Sequence, residues 1–217
     1  MGRGLKYDIP GEDWRRRVDE VAADGWASIF EGELAAPFPV VVEIGFGGGE
    51  FLLELAGKHP DAGFLGIEVS FKRVLKLARR LARSGLRNVR LVEGRGQVVV
   101  AEACERESVS AFWVNFSDPW PKDRHAGRRL FQPRFVADLA NALLPGGLLH
   151  VATDDARYAR QIAAVLEAEP ALENLFAPDA FRGEVPGRLR TAYEESWRED
   201  GRTLHFFEYR RRGGDAT

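Results

Sequence analysis

The chain has 217 residues, of which 45% are hydrophobic and 29% are charged. Such a length and composition fit one compact α/β domain with a short appended arm. A membrane-spanning helix is excluded, because no stretch approaches about 18 consecutive apolar residues, and the N-terminus lacks the layout of a secretory signal. We therefore expect a soluble, cytoplasmic protein.

Cysteine and histidine give no sign of a disulfide or a structural metal. Cys104 is the only cysteine, so the chain has no partner for it in an internal disulfide. The histidines share no metal-ligand spacing with it. They are His59, His125, His150 and His205. We expect no structural metal.

The formal net charge of −2 hides two basic clusters. Residues 122–134 contain five basic side chains against one acidic one, and residues 70–90 contain eight against none. A phosphate backbone requires clusters of this kind, because neutralising phosphates releases counterions. In residues 70–83, however, apolar residues at helical spacing leave the basic ones on the opposite face, which favours a solvated outer surface there.

The predicted elements alternate along most of the chain. A helix over residues 12–23 belongs to an N-terminal arm, residues 1–35; beyond it, β-branched runs closed by glycines alternate with segments of helical spacing. The predicted strands cover 40–44, 63–68, 88–92, 109–116, 148–152, 172–176 and 203–209, with a turn at 145–147. The later predicted helices cover 51–56, 70–83, 97–104, 133–143 and 191–199, and one more begins at Asp154 or Asp155.

This alternation predicts a Rossmann-like α/β fold, in which helical crossovers join the strands of a mostly parallel, seven-stranded sheet. The last strand closely follows the elements before it, after a glycine- and proline-bearing loop over residues 181–188. We therefore expect an antiparallel hairpin at the sheet edge. Ligands should gather at the carboxyl ends of the parallel strands.

A glycine-rich turn over Glu43–Glu50 joins the first of these strands to a helix. Glycines at this spacing allow positive φ and let a nucleoside lie against the backbone. The dinucleotide pattern G-x-G-x-x-G fails, because Glu50 occupies its third glycine position and puts a carboxylate where a pyrophosphate would sit. The carboxylate of Glu43 suits a cationic ligand instead. The turn therefore indicates S-adenosylmethionine, with its ammonium and sulfonium groups, and a methyl-transfer reaction.

Two further segments follow the ends of predicted strands. Glu68 ends the second strand, where a carboxylate can accept hydrogen bonds from both ribose hydroxyls. The strand over 109–116 leads into Asp118-Pro119-Trp120-Pro121-Lys122. The two prolines stiffen this loop, so Asp118 and Trp120 would be held with little conformational freedom to lose. Such rigidity suits a reaction that requires in-line geometry.

These motifs resemble those of the tRNA (guanine-N7)-methyltransferases, the class I enzymes that modify guanosine 46 in the tRNA variable loop. The resemblance covers most of the chain, and the order and spacing of its parts make it highly specific. The parts are Glu43-Ile44-Gly45-Phe46-Gly47, Gly66-Ile67-Glu68-Val69, Asp118-Pro119-Trp120-Pro121-Lys122, Arg124-His125, Arg128-Arg129-Leu130, Ala152-Thr153-Asp154 and Thr191-Ala192-Tyr193-Glu194. The sequence departs from the family's pattern at Arg95, where an Asp or Asn usually follows the third strand, and at Ser117, where a proline commonly precedes the aspartate.

The resemblance implies a methyltransferase domain over residues 36–212, and we expect residues 213–217 to form a disordered tail. Together with the glycine-rich turn, it assigns cofactor binding to Glu43, Gly45, Gly47, Glu68, Arg95 and Asp118, with Asp118 also the catalytic residue. It assigns the guanosine to Lys122, Asp154, Thr191, Ala192, Tyr193 and Glu194. The expected partner is tRNA, with no membrane and no obligatory protein partner, for a monomer or homodimer.

The chemistry of guanine supports these assignments independently. N7 must stay free to attack, so the enzyme has to hold the Watson–Crick edge, whose donors suit a carboxylate such as Asp118, Asp154 or Glu194. N7 carries no proton, so the transfer needs no general base, but it creates a cation that the Asp118 carboxylate can stabilise. The arginines that follow Lys122 would contact RNA phosphates. They are Arg124, Arg128 and Arg129.

Three other functions compete with this hypothesis. An amino-group methyltransferase usually has two consecutive prolines before its aromatic residue, whereas this loop has Asp-Pro-Trp-Pro. A dehydrogenase is disfavoured by Glu50. A tRNA-binding module that has lost catalysis is supported only by Arg95.

Overall fold

The computed structural model describes residues 7–213, so the predicted disordered tail lies, apart from Gly213, outside the described residues. The chain divides into two units, Met1–Ala103 and Cys104–Thr217. Each unit carries its own strands and its own packed helices.

The first unit alternates strands and helices as the sequence predicts. Its strands are all parallel, in the order β1-β4-β3-β2. Parallel order follows from the helical crossovers between successive strands. Its elements are β1 (Arg15–Arg16), α1 (Val18–Ile29), β2 (Val40–Ile44), α2 (Glu50–Lys58), β3 (Gly63–Glu68), α3 (Phe71–Leu81), β4 (Val89–Glu93) and α4 (Gly96–Ala103).

The core of the first unit surrounds β3, in which every residue is buried. Helix α3 turns its apolar residues inward, as the helical spacing over residues 70–83 predicts, and Val74, Leu75, Ala78 and Leu81 are all buried. Gly66 of β3 is required by this packing, since a Cβ there would lie 2.5 Å from Leu52 Cδ2. The close packing fixes β3, and with it the position of Glu68 at its end.

The predicted N-terminal helix over residues 12–23 is wrong at its start. Residues 15–16 are extended and form β1, which pairs with β4, and the helix begins only at Val18. Trp14 is buried, its carbonyl accepts a hydrogen bond from the Leu91 N–H, and the Arg90 guanidinium lies 4.3 Å from its ring centroid. Arg15 and Arg16 therefore lie along a sheet edge, whereas acidic residues occupy the first turn of α1, where the helix dipole favours them.

The second unit contains the remaining predicted strands. Strands β5 and β6 are parallel, and β8 is antiparallel to both β6 and β7, in the order β5-β6-β8-β7. Its elements are β5 (Val109–Asn115), a 3₁₀ helix (Asp123–Arg128), α5 (Pro133–Ala142), β6 (Leu143–Thr153), α6 (Ala156–Glu167), β7 (Leu172–Asn174), α7 (Ala192–Glu199) and β8 (His205–Arg211). The predicted antiparallel hairpin is confirmed, with β8 inserted between β6 and β7.

The predicted turn at residues 145–147 is an interruption within β6 and not its beginning. Val109 pairs with Leu143, and Ala111 pairs next with Leu148, so residues 144–147 bulge out of the pairing. Gly146 has φ +81°, which suits such a bulge. All seven predicted strands form, and the Rossmann-like prediction is confirmed; β1 is an eighth strand in residues 7–213.

Candidate functional site

The glycine-rich turn lies directly after β2 in the first unit. Gly45, Gly47 and Gly49 all have positive φ, at +79°, +57° and +78°. The Gly45 N–H donates to the Ile67 carbonyl at 2.7 Å, which ties the turn to the end of β3. A Cβ at Gly45 would meet nothing within 4 Å, whereas one at Gly49 would lie 2.4 Å from Leu77. Glycine at position 49 is therefore favoured both by backbone conformation and by the contact with Leu77, and glycine at position 45 by backbone conformation beside open space.

Two buried carboxylates flank this turn. Glu43 and Glu68 are each 3% exposed, on the adjacent parallel strands β2 and β3. Glu68 accepts hydrogen bonds from the N–H groups of Gly47 at 3.1 Å and Ser70 at 2.9 Å. Arg73 donates to the same carboxylate at 3.4 Å. The first unit thus brings together four predicted cofactor residues, Glu43, Gly45, Gly47 and Glu68.

Arg95 lies at the start of α4 and is exposed. Its carbonyl accepts hydrogen bonds from the N–H groups of Val98 and Val99 in the first turn of that helix. Its contact with a cofactor stays a prediction.

In the second unit, the loop that follows β5 has an unusual backbone. Phe116 and Trp120 have φ of +55° and +43°, a conformation that residues other than glycine rarely adopt. The Phe116 N–H donates to the Ala152 carbonyl of the neighbouring strand at 2.8 Å. Asp118 lies between the two strained residues and is exposed to solvent. The sequence predicts that the two prolines stiffen this loop, but it carries no signal for positive φ at Phe116 and Trp120.

The basic residues after the loop divide into two groups. Lys122, Arg124 and Arg128 are exposed, and the Arg128 guanidinium lies 5.2 Å from the Trp120 ring centroid. Arg129 differs from the expectation, because it is only 7% exposed and its Nε donates to the Pro119 carbonyl at 2.7 Å. Exposure favours a phosphate contact for Arg124 and Arg128. The Arg129 guanidinium instead makes its contacts within the protein.

Asp154 follows the end of β6, beside the end of β5. Its side chain is 20% exposed, and its Oδ2 accepts a hydrogen bond from Arg202 Nη1 at 2.8 Å. Because β5 and β6 are parallel, with Asn115 paired to Ala152, the loops bearing Asp118 and Asp154 leave the same edge of the second unit.

The segment Thr191–Glu194 begins helix α7. Thr191 Oγ1 accepts a hydrogen bond from the Glu194 N–H at 3.0 Å, which is the geometry of a helix cap. Ala192 is the first residue of the helix. Tyr193 is 52% exposed, and its ring centroid lies 5.6 Å from that of Trp197.

Glu194 is buried among arginines. Its Oε2 accepts from Arg188 at 2.9 Å and its Oε1 from Arg198 at 3.2 Å. Arg188 also donates to Asn115 Oδ1 at the end of β5, and burial lowers the pKa of its guanidinium. Sequence reasoning assigned no role to Arg188, since nothing in a glycine- and proline-bearing loop marks one arginine as buried. The pair connects α7 to the strand that leads to Asp118.

None of the helices in residues 7–213 has the length and hydropathy that a membrane span requires. Within the same range, no three side chains of His, Cys, Asp or Glu are grouped as a metal site would require.

Solved structures define the class of the fold. The 16S rRNA methyltransferase KamB matches with a TM-score of 0.61 at 14% identity, over 84% of this chain and 91% of that one. The aminoglycoside resistance methyltransferase NpmB1 matches with a TM-score of 0.57 at 19% identity, over 81% and 89%. The chain therefore has the Rossmann-like fold of class I methyltransferases.

Sequence comparison then gives the family. The family described as "Putative methyltransferase" matches residues 37–207. The tRNA (guanine-N(7)-)-methyltransferase of Alkalilimnicola ehrlichii is 43% identical over 176 residues, 80% of this chain and 73% of the relative. The enzyme of the same name from Leifsonia xyli subsp. xyli is 41% identical over 172 residues, 79% and 76%. This chain belongs to the tRNA (guanine-N7)-methyltransferase family.

Family membership makes the chain a methyltransferase with S-adenosylmethionine as its cofactor. The first unit fits that cofactor on its own geometry. Two carboxylates that are each 3% exposed offer negative charge to a cationic ligand, and the space beside Gly45 is open.

Proposed function

We propose that the chain transfers the methyl group of S-adenosylmethionine to N7 of guanosine 46 in the tRNA variable loop, giving 7-methylguanosine and S-adenosylhomocysteine. The observation that carries this proposal is the family membership together with a rigid acidic loop followed by exposed basic residues. The names of the relatives support tRNA guanine N7 as the acceptor, and the resemblance of the motifs supports position 46.

Asp118 is the catalytic residue of the proposal. The cofactor, when bound, supplies an electrophilic methyl group. N7 of guanine attacks with a lone pair and loses no proton, so the protein has no base catalysis to perform. The positive charge that develops on the base is stabilised by a carboxylate already held in place, which avoids reorganisation in the transition state. The strained, proline-bounded loop holds Asp118 for this purpose.

The Watson–Crick edge of guanine needs a carboxylate that can accept from N1-H and the N2 amino group. Glu194 has both oxygens engaged by buried or half-buried arginines, whereas Asp154 uses one oxygen for Arg202 and Asp118 is exposed. Asp118 and Asp154 are therefore the favoured acceptors. The resemblance of the motifs supports Thr191, Ala192, Tyr193, Glu194 and Lys122 as further guanosine-binding residues.

The experiment uses labelled S-adenosylmethionine and an unmodified tRNA transcript, followed by chemical cleavage at 7-methylguanosine. We expect cleavage at a single site, position 46, and no label in a transcript with adenosine at that position. Label at a different guanosine would keep the reaction and refute the position, and absence of label from both transcripts would refute the activity.

The role of Asp118 is tested by Asp118→Asn, which keeps the shape of the side chain and removes its charge. Removing one such electrostatic interaction typically costs about 3 to 4 kcal/mol of transition-state stabilisation, so turnover should fall roughly a hundred- to a thousandfold. Cofactor affinity, measured by calorimetry, should stay close to that of the wild type. Near-normal turnover would refute the role.

A further inference from the structure

Arg128 and Arg129 are neighbours in sequence but have different surroundings. Arg128 ends the 3₁₀ helix and is exposed, with its guanidinium over the Trp120 ring. Arg129 is 7% exposed, and its guanidinium lies 5.7 Å from the ring centroid of Tyr158 in α6. A buried guanidinium is poorly placed to neutralise RNA phosphates, which requires contact with the solvent-facing backbone of the nucleic acid.

The Arg129 guanidinium is instead engaged by three acceptors of the second unit. Nε donates to the Pro119 carbonyl at 2.7 Å, and Nη2 to the Trp120 carbonyl at 3.3 Å. Nη1 donates to Gln161 Oε1 at 2.5 Å, and the Gln161 amide in turn donates to the Phe131 carbonyl at 3.0 Å. The planar fork of arginine suits such a set of acceptors, and lysine could not reproduce it.

These contacts act on the two residues that follow Asp118. Trp120 has φ +43°, which a residue with a side chain rarely adopts, so the surrounding structure must hold it there. Fixing the carbonyls of Pro119 and Trp120 fixes the Pro119–Trp120 and Trp120–Pro121 peptide planes. Because the ring of Pro119 also fixes its own φ, little freedom is left between these planes and Asp118, which limits where its carboxylate can lie.

We propose that Arg129 is a positioning residue for methyl transfer, which holds the Pro119–Trp120 backbone and through it the Asp118 carboxylate. This inference rests on the proposed function of Asp118. It gives the two neighbouring arginines different roles: Arg128 acts on RNA binding, and Arg129 on turnover.

The test compares Arg129→Ala with Arg128→Ala, under steady-state conditions and across a range of salt concentrations. Arg129→Ala should lower kcat about a hundredfold, the typical cost of misplacing a catalytic group by about 1 Å. Its KM for tRNA and the salt dependence of tRNA binding should match those of the wild type. Arg128→Ala should give the opposite pattern, a higher KM and a salt slope smaller by about 1.

Three further variants separate positioning from folding. Arg129→Lys should recover only part of the lost kcat, and Gln161→Ala should show a smaller loss of the same kind. Guanidinium added to Arg129→Ala below denaturing concentrations should raise its kcat. Arg106→Ala removes an arginine that is 72% exposed and paired with Glu107, and should behave as the wild type. If Arg129→Ala does not fold, Arg129→Lys and Gln161→Ala carry the test.

Hydrogen exchange of peptides spanning residues 116–124 gives a readout that does not need activity. Exchange should be faster in Arg129→Ala and Gln161→Ala than in the wild type or Arg106→Ala. If exchange is faster in these variants but the wild type transfers no methyl group, the hold of Arg129 on the Pro119–Trp120 backbone would be supported and the proposed function refuted. Unchanged exchange, or an Arg129→Ala variant with normal kcat and a reduced salt slope, would overturn the inference.

Discussion

Gly45 and Gly85 share a backbone conformation that residues with side chains rarely adopt. Their φ values are +79° and +77°, and a Cβ on either would meet nothing within 4 Å. Alanine at each position should therefore cost about 1–2 kcal/mol of stability, from backbone strain alone. Only Gly45 lies in the turn beside Glu43, so Gly45→Ala should also weaken S-adenosylmethionine binding.

Thermal denaturation and calorimetric titration of the two variants check this prediction. We expect similar losses of stability, with cofactor affinity reduced at least about tenfold, or 1.4 kcal/mol, in Gly45→Ala and unchanged in Gly85→Ala. Equal cofactor affinity in both variants would show that the open space at Gly45 is not where the cofactor lies.

Glu194 is the buried partner of Arg188, and the side chains are 3% and 4% exposed. Glu194→Ala leaves a buried guanidinium without its charge partner, which typically costs about 3–5 kcal/mol. Urea denaturation without substrate measures this cost. Glu173→Ala, which breaks an exposed pair with Arg210, is the control and should change little. A small effect of Glu194→Ala would mean that water or Asn115 compensates the charge.

At the scale of single residues, the sequence predicts the positions of side chains that lie beside a turn with a specific backbone conformation. The positions of Glu43 and Glu68 beside the glycine-rich turn can be predicted, because each lies at the last or next-to-last residue of its strand. Arg129 could not be separated from Arg128, because its burial depends on Gln161 and on carbonyls that come together only in the fold. Arg188 was missed for the same reason.

Helix α6 begins with a side-chain cap. Asp155 Oδ1 accepts a hydrogen bond from the Tyr158 N–H at 2.7 Å, whereas Asp154 pairs with Arg202. Asp155→Ala should destabilise the protein by about 1 kcal/mol, and Asp155→Ser should retain most of the stability. Thermal denaturation of the two variants measures the difference. Equal stability of the two variants would mean that a side-chain cap at residue 155 stabilises α6 no more than water does.

At the scale of elements, the sequence predicts strands and helices whose hydrophobic pattern matches their packing. Strand β3 forms over the predicted residues because it is buried on both faces. The N-terminal prediction fails because Trp14 is buried against Arg90, a long-range contact that overrides the helical spacing. The sequence predicts a strand boundary at residues 145–147, where β6 is only interrupted, because proline and glycine mark turns and bulges alike.

At the scale of the whole molecule, a net charge of −2 gives no general attraction to tRNA, so binding must depend on where the basic residues lie. Arg124 and Arg128 are exposed close to the Asp118 loop. Lys72 and Lys76 are exposed on α3, whose opposite face is buried in the core of the first unit. The proposed function distinguishes these two surfaces, since only the first adjoins the catalytic loop in sequence.

The double variants Arg124→Ala/Arg128→Ala and Lys72→Ala/Lys76→Ala, which each remove two positive charges, test this distinction. Each phosphate contact contributes about 0.7 to 0.9 to the slope of log Kobs against log salt concentration. The arginine variant should therefore lose about 1.4 to 1.8 from that slope, and the lysine variant should keep the wild-type value, because Lys72 and Lys76 do not adjoin the catalytic loop in sequence. Filter binding of unmodified tRNA across a salt series measures both. A smaller slope in the lysine variant alone would place the RNA interface on α3. Equally reduced slopes in both variants would mean that tRNA binding depends on total charge and not on a defined surface.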